Sequence, residues 1–255
     1  NRTMTSRVIL AALLAALAMP APARADAVSE LRATLGKLQP AQPLLATARV
    51  SSTVKKEDGK TERAQLQLSV RSGTDGLELH FSPELLQRAA AEAAVNAKNK
   101  DAPTPVQDLL GQLSPVNVQP MVNYAPVLLR QLDGATLASQ RDDTRNGKPA
   151  RLLVFDVPMP PSANKEMSVK QYVGQLSVWL GADGVPVAVR NMLAIKGRKL
   201  LISIEFGTTT DYALQQVGTR LLAVSRRTEE NHSVFGHDGS SVTEAALTPV
   251  AASVH

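Results

Sequence analysis

The residues able to do chemistry are few, and their spacing does not suit it. The chain has no cysteine, which excludes disulfides, thiolate metal ligands and thiol nucleophiles. It has four histidines, His80, His232, His237 and His255. His232 and His237 stand five apart, with Glu229, Glu230 and Asp238 nearby. A metal-binding pair needs i, i+4 on a helix or i, i+2 on a strand, so this group reads as a polar loop. His80 alternates to the solvent side of its strand. Asp142-Asp143 and Glu229-Glu230 are adjacent pairs. Neighbours on a strand point to opposite faces, so neither pair makes an acid–base dyad. No G-x-S-x-G elbow, phosphate-binding loop or dinucleotide fingerprint occurs. The expectation is a protein that is not an enzyme and that holds no metal and no cofactor.

The charge balance points the same way. The chain has 255 residues and a formal net charge of +5. Arg2, Arg7 and Arg24 lie in a leader-like segment without acidic residues, and setting them aside leaves +2. Aromatic residues are only 3%, too few for base-stacking platforms. The charges read as a solvated surface, and no nucleic-acid partner is expected.

The leader-like segment covers residues 1–25. Arg7 gives a positive start, Val8 to Met19 form an apolar run, and Pro20 and Pro22 break it. Ala23-Arg24-Ala25 then matches a small-x-small cleavage site ahead of Asp26. The run is shorter than the roughly 20 apolar residues of a membrane span. The reading is a signal peptide cleaved after about Ala25, leaving 26–255 as one exported, periplasmic domain with no stable membrane insertion. A cysteine-free exported chain must be held by its core, which suits a bacterial envelope.

The elements follow from periodicity. Asp26 to Leu38 predicts a helix with Leu31, Leu35 and Leu38 on one stripe. Ala46, Ala48, Val50, Ser52 and Val54 alternate with polar residues, and Ala64, Leu66, Leu68 and Val70 do so after a turn at Asp58-Gly59. Leu77, Leu79 and Phe81 share the face of a third strand. Ser82-Pro83 opens a helix that runs toward Asn99, with an Ala-rich face suited to lying on a sheet. Thr104-Pro105-Val106-Gln107 reads as a capping box starting a short helix over Val106 to Leu113. Residues to Asn123 read as irregular, and Tyr124 to Leu132 as helical. Strands resume at Thr136–Thr144 and Arg151–Val157 around Asn146-Gly147, the strongest short hairpin signal. Pro158, Pro160 and Pro161 fall in a loop. Leu176, Val178 and Leu180 alternate before Asp183-Gly184. Val185, Val187 and Val189 follow, then a turn at Lys196-Gly197-Arg198. Ile202, Ile204 and Phe206 come next, then a strand at Leu221–Arg227 and a weakly determined tail from Thr243. Trp179 sits on the polar side of its strand. It marks either a second packed surface or, more commonly for a lone Trp, a helix–sheet contact.

The predicted fold class is therefore α+β. A helix, three strands, a helical insertion at about 83–132 and five or six further strands form an antiparallel sheet with one apolar face for the helices to cover. The apolar face is set by Val50, Leu66, Leu68, Val70, Leu77, Leu79, Phe81, Leu176, Val178, Leu180, Ile202, Ile204 and Phe206. Each taken singly reads as core.

The layout resembles the LolA-like periplasmic lipoprotein and lipid carriers, whose wider superfamily includes RseB-type sensor domains. The resembling pieces are Asp26-Ala-Val-Ser-Glu-Leu31-Arg-Ala-Thr-Leu35, the hairpin Ala46 to Val70, and Leu176-Ser-Val-Trp-Leu180-Gly-Ala-Asp-Gly184-Val-Pro-Val187. This chain is longer at 83–132, is poorer in aromatics, and has Ser72 after Arg71 where the carrier has a basic residue followed by Pro. The resemblance implies a curved antiparallel sheet, an unclosed β-barrel, closed over by helices. It also implies an apolar cavity lined by the thirteen residues above, holding a lipid or an acylated protein. The alternative is an interaction or sensor module with a filled core and an envelope protein partner.

Overall fold

The computed structural model describes residues 21–40, 42–56, 59–111, 113–160, 167–199, 202–234 and 237–250. Most of the leader-like segment lies outside them. The order is α1 (Ala21–Lys37), β1 (Leu44–Lys55), β2 (Thr61–Gly73), β3 (Gly76–Phe81), α2 (Pro83–Lys98), α3 (Pro105–Gly111), α4 (Pro115–Val122) and α5 (Ala125–Leu132). Then come β4 (Thr136–Arg145), β5 (Lys148–Asp156), β6 (Ser168–Leu180), β7 (Pro186–Lys199), β8 (Ile202–Val217), β9 (Arg220–Val234) and β10 (His237–Pro249). No helix among the described residues is long and apolar enough to cross a membrane.

All ten strands join one antiparallel sheet in the order β3-β2-β1-β10-β9-β8-β7-β6-β5-β4. It is open, with β3 and β4 at its edges. Among the described residues, strands consecutive in the chain pair as antiparallel neighbours, except β3 and β4, which form the two edges and are separated in sequence by α2–α5. The last strand returns to pair with the first, Ala48 facing Leu247 and Val50 facing Ala245. Helices touch the sheet at both ends, α1 at β4 and α3 at β2, while α4 reaches β9 and β3. One sheet can meet all of them only by curving round them. Their apolar residues and the sheet's inner face make one core, in which Leu35, Leu128, Leu153, Val178 and Leu221 are fully buried.

The expected register holds where alternation was clearest. Ala46, Ala48 and Val50 face Val70, Leu68 and Leu66. Asn146 and Gly147 both take positive φ, 52° and 74°, the conformation of a tight two-residue hairpin turn.

Several expectations fail for physical reasons. Seven strands follow the helices, not five or six. Gly197 makes no turn; it lies inside β7, where an added Cβ would come within 2.8 Å of the Ser168 carbonyl oxygen. Its role is close backbone approach at the irregular β6–β7 pairing near Val169. His232 and His237 lie on β9 and β10, not in a loop. The weak tail is β10, ordered by partners on both sides. Residues 115–122 form α4, because Ser114 accepts from the Asn117 N–H and Pro115 opens the helix. The α2 helix buries only Leu85 and leans on α3 instead of lying along the sheet. The capping box at Thr104 does not close; Glu92 of α2 accepts from the Val106 and Gln107 N–H groups at 2.9 and 3.0 Å, an anion at a helix N-terminus.

Candidate functional site

The inner face can be read as rows of residues crossing the strands. One row runs Val50, Ala245, Arg226, Tyr212, Val189, Val178, Leu153. The helices cover it. The next row runs Ser52, Thr243, Thr228, Thr210, Asn191, Leu176, Phe155, and the one beyond runs Val54, Ser241, Glu230, Thr208, Leu193, Gly174. Burial falls off along these rows: Leu176 and Phe155 are still buried, while Thr228, Thr210, Asn191, Thr208 and Leu193 are half-buried. The inner face is apolar on β5–β7 and rich in hydroxyls from β8 to β1.

A cavity of about 380 Å³ opens at this boundary. It is lined by Leu176, Leu193 and Ile195 of the sheet, by Val157, whose N–H donates to the Gly174 carbonyl at 2.9 Å, by Pro158 and Pro160 of the following loop, and by Gln131 of α5. Tyr172 folds over Gly174 and donates to the Pro158 carbonyl oxygen at 3.2 Å. A Cβ at Gly174 would lie 2.4 Å from the Tyr172 hydroxyl and 2.6 Å from the Val157 carbonyl oxygen. Glycine at this position is what lets the tyrosine and the proline loop close one side of the cavity.

The helix end of the cavity is polar. The Tyr124 N–H donates to the Leu221 carbonyl at 2.8 Å, fixing the start of α5 to β9. Its ring meets that of Tyr212 with centroids 4.7 Å apart. Tyr124 is fully buried, and Asn191 and Gln131 lie beside its hydroxyl. Burial, with the neighbouring Tyr212, pushes the Tyr124 hydroxyl well above its usual pKa; the two amide side chains oppose this weakly. It stays protonated at any physiological pH.

The thirteen residues singled out from sequence are placed unevenly. Val50, Leu66, Leu68, Val70, Val178 and Leu180 are buried in the filled core under the helices. Leu77, Leu79 and Phe81 pack partly against that core. Leu176 is also core but lines the cavity as well. Phe206 lines a different pocket of about 720 Å³ at the open end of the strands, among Lys196, Glu205, Asn231 and Asp238. Ile202 and Ile204 are half-buried and lie outside the core cluster. The sequence reading missed Tyr172, Leu193, Ile195, Asn191 and Gln131. The signal for two of them was present, since the inward position of Val189 repeats at Leu193 and Ile195 at even spacing along β7.

The other face carries its own apolar cluster. Trp179 packs with Leu152 and Ala188 on the side turned away from the helices. The second packed surface is therefore the correct reading of this Trp, and the helix–sheet contact is not. Among the described residues, no group of three His, Asp or Glu side chains could hold a metal ion.

No protein-family model matches the chain, and no curated protein matches its sequence. Two solved structures are similar in layout. One is a DUF1329 family protein from Desulfovibrio piger, with a TM-score of 0.37 and 11% identity over 90% of this chain and 95% of that one. The other is from the Pseudomonas aeruginosa MucA/MucB complex, with a TM-score of 0.25 and 9% identity over 90% of this chain and 100% of that one. At these scores neither carries a function across. What the cavity can do is judged from its own walls. Its described lining is mainly apolar, with the hydroxyls of Thr208, Thr210 and Tyr172 and the amides of Gln131, Gln175 and Asn191, and no charged side chain.

Proposed function

We propose that this chain is a periplasmic, non-catalytic binding protein that holds an acyl chain inside its curved sheet. The observation that carries the reading is the cavity lined by Leu176, Leu193, Ile195, Val157, Pro158 and Pro160. Its volume of about 380 Å³ falls within the roughly 300–1,000 Å³ of small-molecule sites. Each methylene moved into it from water gains about 0.8 kcal/mol. A chain of about eight methylenes therefore gathers about 6 kcal/mol before the cost of association is subtracted. That supports reversible loading, which a carrier needs. The resemblance to the LolA-like carriers and the leader-like segment at 1–25 agree with an envelope location, where lipids need an aqueous escort.

Native mass spectrometry of protein purified from a bacterial envelope tests the reading. Adducts with the mass of acyl-containing species, removed by delipidation, are expected. Absence of any such adduct, together with no uptake of an added acyl probe, would sink it.

A second reading has one observation in its favour. Among the described residues, the β2 edge beyond β3, Thr61–Gln67, has no strand partner on that side, and an unpaired edge can accept an extended peptide. On that reading the sheet serves a protein partner and the acyl cavity is incidental. Pull-down from envelope extract before and after delipidation separates the two.

A further inference from the structure

β2 outruns its edge partner, and the space beside the surplus length is a groove. β3 pairs with Leu68–Gly73, which leaves Thr61–Gln67 free on that side among the described residues, a length of about 23 Å at roughly 3.3 Å per residue. The inference rests on the second reading above, an edge that takes an extended peptide, and names the chemistry of that peptide. After Phe81 the chain leaves β3 through Ser82 and enters α2 at Pro83. The first turns of α2 stand beside the strand position that β3 gives up. The groove measures about 660 Å³, and Ser52 of β1, Arg63 and Leu66 of β2, and Glu84, Leu85 and Arg88 of α2 are among its lining.

This edge is fit to pair. Thr61–Gln67 contains no proline, and its register with β1 runs from Lys55↔Thr61 to Arg49↔Gln67 without a bulge. Prolines, bulges and short length are the usual ways of closing a free edge. An added strand shares the two faces of the strand it joins. Its side chains opposite Ala64 and Leu66 lie on the inner face, where Leu85 belongs to the core. Those opposite Arg63, Gln65 and Gln67 lie on the outer, exposed face.

Charge decides which peptide fits. Arg63 and Arg88 line the groove and are exposed, and neither belongs to an ion pair among the described residues. Glu84, the one carboxylate among the described lining residues, is held at the start of its own helix by its own N–H and the Ser82 hydroxyl, which keep its pKa below the usual value. Glu62 alternates to the inner face and pairs with Lys56 at 2.5 Å. A second copy of the chain would bring the same arginines to the same edge, and like charges set against each other are disfavoured. An acidic strand is attracted.

We infer that the free length of β2 takes up, as an added strand, an extended acidic peptide with apolar residues at alternate positions, whose carboxylates pair with Arg63 and Arg88.

The test measures fluorescence anisotropy of a fluorescein-labelled heptapeptide of alternating Glu and Val against the full chain, at about 50 mM salt so that screening is weak. Counterparts carry Gln or Lys in place of Glu, and two further forms of the acidic peptide are N-methylated on alternate residues, one in each phase. The acidic peptide is expected to bind at least about threefold tighter than either counterpart. The doubly substituted Arg63→Glu, Arg88→Glu chain, whose fold is checked by urea unfolding, is expected to prefer the Lys peptide. A smaller preference, or an unchanged order in that variant, overturns the acidic specificity and leaves the edge reading standing. At least one N-methylated form is expected to lose binding, because it loses the backbone donors that face β2. Full binding by both forms, or no binding by any peptide, overturns the edge reading and the inference with it. Self-association in sedimentation that excludes the peptide makes a second copy the occupant and overturns the inference.

Discussion

Trp179 donates its indole N–H to Asp143 Oδ2 at 2.8 Å, on the face of the sheet turned away from the described helices. The Arg145 guanidinium lies 4.7 Å from the centre of the same ring. Trp179 is thereby held with 7% of its surface exposed, between a carboxylate and a cation from the edge strand β4. The arrangement ties that edge to the third strand in, across β5. A covered indole and a charged edge both discourage edge-to-edge association.

Asp143 titration should be readable in stability. The Trp179 N–H, then the Thr144 N–H and the nearby Arg141 and Arg145, hold its carboxyl below the usual carboxylate range. A depressed pKa contributes stability above the unfolded pKa, and that contribution is lost as pH falls through the folded one. The difference in Tm between the parent protein and Asp143→Ala should be steady from about pH 5 to 7 and should close below about pH 4. Thermal melts followed by Trp179 fluorescence measure it. A difference that does not change with pH would show that the carboxylate's charge plays no part.

Two residues that look alike in sequence should behave differently. Leu68 faces Ala48 and Phe81 and is 3% exposed. Ile204 faces Gly197 and Val234 near the uncovered end of the sheet and is only half-buried. Leu68→Asp buries a carboxylate without a partner and should cost more than about 4 kcal/mol, enough to prevent folding. Ile204→Asp can turn its carboxylate to water and should cost about 1 kcal/mol or less. Urea titration of both variants decides. Similar losses would mean that the inner face is covered along its whole length.

That contrast marks how far the sequence was legible. Alternation revealed β1, β2 and their register, because one face of each is buried under helices. The Asn146-Gly147 turn was legible because only residues tolerant of positive φ close so tight a hairpin. The second half of β8 and the whole of β10 were not legible. Thr208-Thr209-Thr210-Asp211 and Asp238 to Ser241 carry polar residues or glycine on both faces, and Thr208–Asp211 and Ser240–Ser241 are strand because a neighbour on each side takes up their backbone hydrogen bonds. Periodicity also cannot say where a helix stops covering a sheet. Leu66 and Ile204 share one pattern and one face, yet Leu66, on the strand that α3 contacts, is buried in the core, while Ile204 is half-buried outside it. The cavity draws Gln131, Pro158, Tyr172 and Leu193 from four separate segments, and no local spacing connects them.

Arg220 should be a stability determinant that lysine cannot replace. It is 7% exposed and donates to the carbonyl oxygens of Gln42 at 2.8 Å and Val122 at 3.1 Å and to Ser72 Oγ at 3.2 Å. It thus joins the start of β9 to the approach to β1, the end of β2 and the end of α4, with no carboxylate among these partners. Burial holds its pKa below the usual arginine value. Arg220→Met leaves three acceptors without their donor and should cost about 2–3 kcal/mol. Arg220→Lys should recover less than half of that, because a single ammonium cannot reproduce the fork. The shift in urea midpoint at constant slope measures both, and full recovery in the lysine variant would make charge alone the operative property.

Filling the cavity should abolish binding without abolishing the fold. Leu193 lies on the inner face opposite Gly174 and Thr208 and lines the cavity wall. Leu193→Trp adds ring volume where the cavity now is, so the overpacking cost should stay at or below about 1–3 kcal/mol. Val173, the neighbour of Gly174 on β6, points to the other face and is 40% exposed. Val173→Trp therefore adds the same ring beside the same strand but outside the cavity. Probe binding should fall at least about tenfold in Leu193→Trp, or about 1.4 kcal/mol, and stay within twofold of the parent in Val173→Trp. Both should unfold cooperatively in urea. Unchanged binding in Leu193→Trp would move the ligand elsewhere, and the pocket of about 720 Å³ beside Phe206 would then be the next site to fill.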